Sequence, residues 1–209
     1  MTWQTYGSFL VFAVVLVVVP GPDFAVVTKN TLASGRRSGR WASAGVVTSN
    51  VVQGTAAAVG LGALIVASQP VFAALKWAGV CYLAFLGVQA LRSARRGTYA
   101  SLEENGGGDR ATAAVGWRQG FLSNITNPKV LVFYLAVLPQ FLPADVALWQ
   151  ALTLALTHAV LSLGYLLLLV AGLHRARHVL TRNRVRRTLD AATGCVLLAF
   201  SARLARQAA

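Results

Sequence analysis

Apolar residues run along this chain in long blocks, parted by short clusters of Arg, Gly and polar residues. A helix needs about 20 apolar residues to cross the hydrocarbon of a bilayer. Six blocks reach or approach that length: Tyr6–Thr28, Ala42–Ala67, Val71–Leu91, Val115–Leu138, Leu148–Leu173 and Leu189–Leu204, the last being the shortest. They predict an all-α integral membrane protein with six transmembrane helices. Between the third and fourth blocks, "RSARRGTYASLEENGGGDRATAA" carries the Gly, Asn and charges of a flexible linker. The chain is thus expected to divide into a three-helix half over 1–91, a cytoplasmic linker over 92–114 and a second three-helix half over 115–209. No Lys or Arg precedes the first block and no small-residue cleavage site follows it. It is therefore expected to be the first transmembrane helix, not a cleaved signal.

Composition agrees. Of the 209 residues, 56% are hydrophobic and 12% charged, against about 25% charged in a soluble domain. The net charge of +13 raises nucleic-acid binding, but the basic residues sit between apolar blocks and build no soluble basic face, so no nucleic-acid partner is expected. Their distribution sets orientation instead. Fifteen of the nineteen Lys and Arg residues fall on odd-numbered connections: Lys29, Arg36, Arg37 and Arg40; Arg92, Arg95, Arg96, Arg110 and Arg118; and Arg175, Arg177, Arg182, Arg184, Arg186 and Arg187. The positive-inside rule puts those connections in the cytoplasm and both termini outside. Arg203 and Arg206 pull the other way, and a sixth block that failed to cross would bring the C-terminus inside. Cys81 and Cys195 lie in apolar blocks without metal-site spacing. His158, His174 and His178 form no zinc signature, and Arg175 and Arg177 crowd the last two, so no metal is expected.

Two features suggest that the halves repeat. Gly79–Phe85 and Gly194–Phe200 share G-x-x-x-L-A-F. Gly54, Ala58 and Gly62 in the second block match Ala151, Ala155 and Ala159 in the fifth, with small residues every four positions. Stronger is a third: the first and fourth blocks are both interrupted, by Pro20-Gly21-Pro22 and by Asn127-Pro128-Lys129. Three helices per half is an odd number, so the second half enters from the opposite side, giving two inverted three-helix repeats with broken first and fourth helices. Paired broken helices in such a repeat point to a transporter's site near the midplane.

Proline removes a backbone donor and clashes one turn back, and Gly21 tolerates backbone angles that other residues resist. Each break should free carbonyls and amides that lipid cannot satisfy, so it must face protein or a wet cavity. Asp23 is the only acid well inside a block and should open a resumed helix, where the dipole favours a carboxylate. It is either a helix cap or a functional group. Lys129, the only base deep in a block, either snorkels to the interface or joins the site. Asn50, Gln53, Asn124, His158, Ser162 and Tyr165 are further candidates, each expected to make an interhelical hydrogen bond ahead of a ligand contact. Asn127 stands out because it flanks the break.

"PGPDF", "SGRRSGRWASAG" and "GFLSNITNPKVLVFYLAVLPQF" together resemble the LysE/RhtB family of amino-acid exporters, over essentially the whole chain. The resemblance implies export of an amino acid or related metabolite across the cytoplasmic (inner) membrane in exchange for protons. It maps the family motif to Pro20, Gly21, Pro22, Asp23, Asn127, Pro128 and Lys129. No nucleotide-binding G-x-x-x-x-G-K-[ST] occurs, so the drive must be an ion or substrate gradient, and no cofactor is expected. The expected partners are a small-molecule substrate and the lipid bilayer, with a monomer or homo-oligomer left open. An intramembrane enzyme would want a His or acid cluster that is lacking. A channel-like protein would show no counterflow.

Overall fold

A computed structural model describes residues 2–67, 69–96, 113–142, 147–180 and 183–206. They are helical nearly throughout: α1 (Trp3–Val18), α2 (Pro22–Ala67), α3 (Gln69–Arg96), α4 (Ala113–Ile125), α5 (Pro128–Val132), α6 (Leu148–Leu180) and α7 (Asn183–Arg206). After α5 the chain continues through a π-helical turn, Phe133–Val137, and a 3₁₀ turn, Leu138–Phe141. Most of the expected linker, residues 97–112, lies outside the described residues.

Both expected breaks are present. Val19 N–H donates to the Val15 carbonyl at 3.1 Å, the ladder stops at Pro20, and it resumes when Ala25 N–H donates to Gly21 at 3.0 Å. The axis turns by 50° there, and by 53° between α4 and α5, where Pro128 interrupts the ladder. Each bent pair is apolar and long enough to count as one broken span, and Leu148–Leu173 is long and apolar enough to cross unbroken.

The remaining expected spans differ from the sequence reading. The first connection is not a loop: α2 runs through it and bends at Gly35, whose φ of 83° suits glycine best. The second expected span is the part of α2 beyond that corner. The third and sixth expected spans form α3 and α7, but neither reaches spanning length and apolarity among the described residues. In α7 the apolar part is Asp190–Ala202, after a start rich in Arg.

α2 packs on α4 and α6, and α3 on α7. Glycine brings α2 against α4: a Cβ on Gly120 would collide with the Ala42 carbonyl, and one on Gly45 with the Trp117 carbonyl. Gly54 meets Ala155, so the two small-residue stripes touch at that point. The two G-x-x-x-L-A-F segments fall on the paired helices α3 and α7, where Ser201 Oγ donates to Val80 O at 2.9 Å. Gly194 packs on Gly87, whereas Gly79 packs on Ala136 of the π turn.

Polarity runs inside out. Asp23, Asn50, Asn124, Lys129 and His158 are buried, while Leu168 is 74% and Val160 67% exposed. Only an apolar surrounding makes that arrangement stable, so this is a multi-pass membrane protein.

Candidate functional site

A helical carbonyl is normally satisfied by the N–H four residues on. Pro20, Pro22 and Pro128 have none, so the carbonyls of Leu16, Val18 and Asn124 are orphaned. Each finds a side chain. Lys129 Nζ donates to Leu16 O at 3.3 Å and to Val19 O at 3.1 Å. Tyr165 OH donates to Val18 O at 3.5 Å. Gln53 Nε2 donates to Asn124 O at 3.2 Å, a carbonyl that also accepts Asn127 N–H. Lys129 and Tyr165 belong to the second half and Gln53 to the first, so the break in each half is closed by the other.

Lys129 does not snorkel. It is buried, and its Nζ lies 3.6 Å from Asp23 Oδ1, itself buried. The two residues hold matching positions, each following the proline that opens a resumed helix. For Asp23 this is the favourable end of the dipole; for Lys129 it is the unfavourable one. Lys129 is stabilised instead by the carbonyl end of α1 and by the carboxylate. At 3.6 Å the pair is ionic contact without a hydrogen bond, and Asp23 Oδ1 has no hydrogen-bond partner. Gly21 lies against both: a Cβ there would come 2.8 Å from Asp23 Oδ1 and 3.1 Å from Lys129 Nζ.

Asn127 caps α5, its Oδ1 accepting Lys129 N–H at 3.0 Å, while its Nδ2 is buried without a partner. Asn124 Nδ2 donates to Asn50 Oδ1 at 2.8 Å and to Val46 O at 3.2 Å. Asn50 and Asn124 are thus joined between α2 and α4. His158 on α6 hydrogen-bonds Tyr134 OH through Nδ1 at 2.9 Å, and Ser162 is buried on the same helix.

Sequence reasoning passed over Tyr134, Ser123 and Asn30. Ser123 Oγ donates to Pro22 O at 3.2 Å. Asn30 ties the Gly35 corner together, donating to Gln119 Oε1 at 2.8 Å and accepting from Ser38 Oγ at 2.9 Å. Counting back four residues from each proline would have marked Leu16, Val18 and Asn124 as carbonyls in need of donors. Nothing in the letters marks Tyr134, which a π turn carries to His158. Among the described residues no group of His, Cys, Asp and Glu could hold a metal ion.

The profile of the LysE type translocators matches residues 14–208. A leucine efflux protein of Klebsiella pneumoniae subsp. pneumoniae is 32% identical over 209 residues, covering 96% of this chain and 94% of its own. A leucine efflux protein of Salmonella choleraesuis is 27% identical, covering 96% and 94%. An uncharacterized membrane protein of Bacillus subtilis, YrhP, is also 27% identical, covering 92% and 94%. No solved structure matches the chain.

Proposed function

The chain belongs to the LysE type translocators, and from that membership we propose that it exports an aliphatic amino acid across the cytoplasmic membrane in exchange for protons. It is a transporter, not an enzyme. Leucine, named for two of the relatives, is the first substrate to try.

The observation that carries the reading is the ion pair of Lys129 with Asp23 at the meeting of the two breaks. A zwitterion needs an acceptor for its ammonium and donors for its carboxylate. Asp23 Oδ1 is an acceptor without a hydrogen bond, and Asn127 Nδ2 is a donor without one. Lys129, two residues after Asn127, adds a cation. Burial strengthens each of these contacts relative to water. A proton arriving from outside competes with the cargo ammonium for Asp23, which frees the cargo there. The same carboxylate gives the proton up on the cytoplasmic side. The two halves act as inverted repeats rocking about this point. The Arg-rich odd connections face the cytoplasm.

The test is efflux of labelled leucine from proteoliposomes, with and without an imposed proton gradient. The reading expects counterflow and acceleration by the gradient. Asp23→Asn, compared at equal protein in the membrane, should lose the gradient-driven part. Unchanged rates under both regimes would return Asp23 to the role of a helix cap.

A further inference from the structure

Lys129 is bound as a cargo ammonium would be bound. Its Nζ faces three oxygens, Leu16 O at 3.3 Å, Val19 O at 3.1 Å and Asp23 Oδ1 at 3.6 Å. Two carbonyls accept hydrogen bonds from it and the carboxylate lies in ionic contact, so three oxygens surround an ammonium with three N–H bonds. None of the three oxygens belongs to α5, and α5 itself presents its unfavourable dipole end to the lysine. Nothing in its own helix therefore anchors the ammonium. Its attachment is wholly to α1 and α2, through a set of acceptors that any primary amine could use.

We propose that the Lys129 ammonium and the α-ammonium of the cargo are alternative occupants of this one seat. The proposal rests on the export reading and deepens it by defining the cargo. When the cargo ammonium takes the seat, Lys129 is displaced and becomes a buried cation in need of an anion. The cargo's carboxylate supplies it, together with Asn127 Nδ2, the buried donor that has no partner. A substrate must then bring both charges. A monoamine or an amino-acid amide would fill the seat but strand Lys129, and is rejected. Site charge is conserved, because Asp23 with Lys129 sums to zero and so does that pair with a zwitterion. Gly21 lies where the exchange takes place, since any side chain there would crowd Asp23 Oδ1 and Lys129 Nζ.

The seat is tested by chemical rescue in the full-length protein. Lys129→Ala lacks three carbons and the ammonium, the atoms of n-propylammonium. Thermal unfolding in nanodiscs should show n-propylammonium chloride raising the midpoint of Lys129→Ala above that in equal potassium chloride. The wild type and Asp23→Asn/Lys129→Ala should not shift. An equal shift in all three, or none in Lys129→Ala, would overturn the proposal. If Lys129→Ala does not accumulate in the membrane, Lys129→Met, which lacks only the ammonium, makes the same comparison with ammonium chloride against sodium chloride. A second arm uses proteoliposomes. Isoamylamine in tenfold excess should leave wild-type leucine counterflow unchanged, and strong competition in the wild type would refute the rejection of monoamines. Amine rescue without any amino-acid flux would sink the export reading and keep the seat. Flux without rescue would do the reverse.

Discussion

Asp23 and Lys129 depend on each other more than on their own helices. Removing one buried partner leaves the other uncompensated, at a cost of about 3–5 kcal/mol. Removing both is milder. Asp23→Asn and Lys129→Met should each lower the unfolding midpoint, and the double variant should lie above either single one. Independent, additive losses in a thermal double-mutant cycle would show that the 3.6 Å contact contributes little. The two residues were visible in the sequence because each is the lone charge of its sign deep in an apolar block. Their contact was not visible, since 105 residues and a linker separate them. Asn50, Gln53 and Asn124 could be read only as interhelical bonds or ligands. The structure gives them interhelical bonds, and it leaves the Oδ1 of Asn124 and the Oε1 of Gln53 buried without partners.

The breaks follow from backbone chemistry. Three prolines withdraw three donors, and Lys129, Tyr165 and Gln53 supply replacements. Pro22→Ala and Pro128→Ala should restore N–H groups, let the ladders close and still yield inserted protein. Counterflow should fall sharply, because the healed carbonyls no longer need the side chains that gather at the site. Near-normal flux with both prolines replaced would make them simple bends. Packing makes a contrasting demand at the α2–α4 crossing. Gly120→Val sets a side chain against the Ala42 backbone, so the folded yield on size exclusion should drop. Gly60→Ala meets nothing within 4 Å and should be neutral or stabilising by up to about 1 kcal/mol. Helix existence was readable from apolar blocks, and so were the two interruptions. The Gly35 corner was not, since a basic polar stretch reads as a loop whether or not its backbone is helical. The G-x-x-x-L-A-F match said little by itself, because apolar letters recur in any lipid-facing helix.

Orientation is a property of the entire chain, argued from Arg placement alone. In a variant with Cys81 and Cys195 replaced by Ala, Arg37→Cys should be shielded from an impermeant thiol reagent in intact cells. Trp149→Cys, exposed at the start of α6, should react. The reverse pattern would turn the protein over. Multi-pass membrane architecture was legible in composition and block length, and the inside-out polarity of the folded chain agrees with it. The third and sixth blocks form helices, α3 and α7, whose described residues fall short of a full span by length and apolarity.

The matching positions of Asp23 and Lys129 bear on ancestry. Suppose two copies of one half-length chain met at this point, as separate subunits of a symmetric dimer. Symmetry would then place Asp opposite Asp, or Lys opposite Lys, within a few ångströms in a buried setting. Like charges so placed cannot both stay ionised. Opposite charges at equivalent positions require two halves that can mutate separately. An Asp–Lys junction of this kind is therefore closed to any self-pairing half.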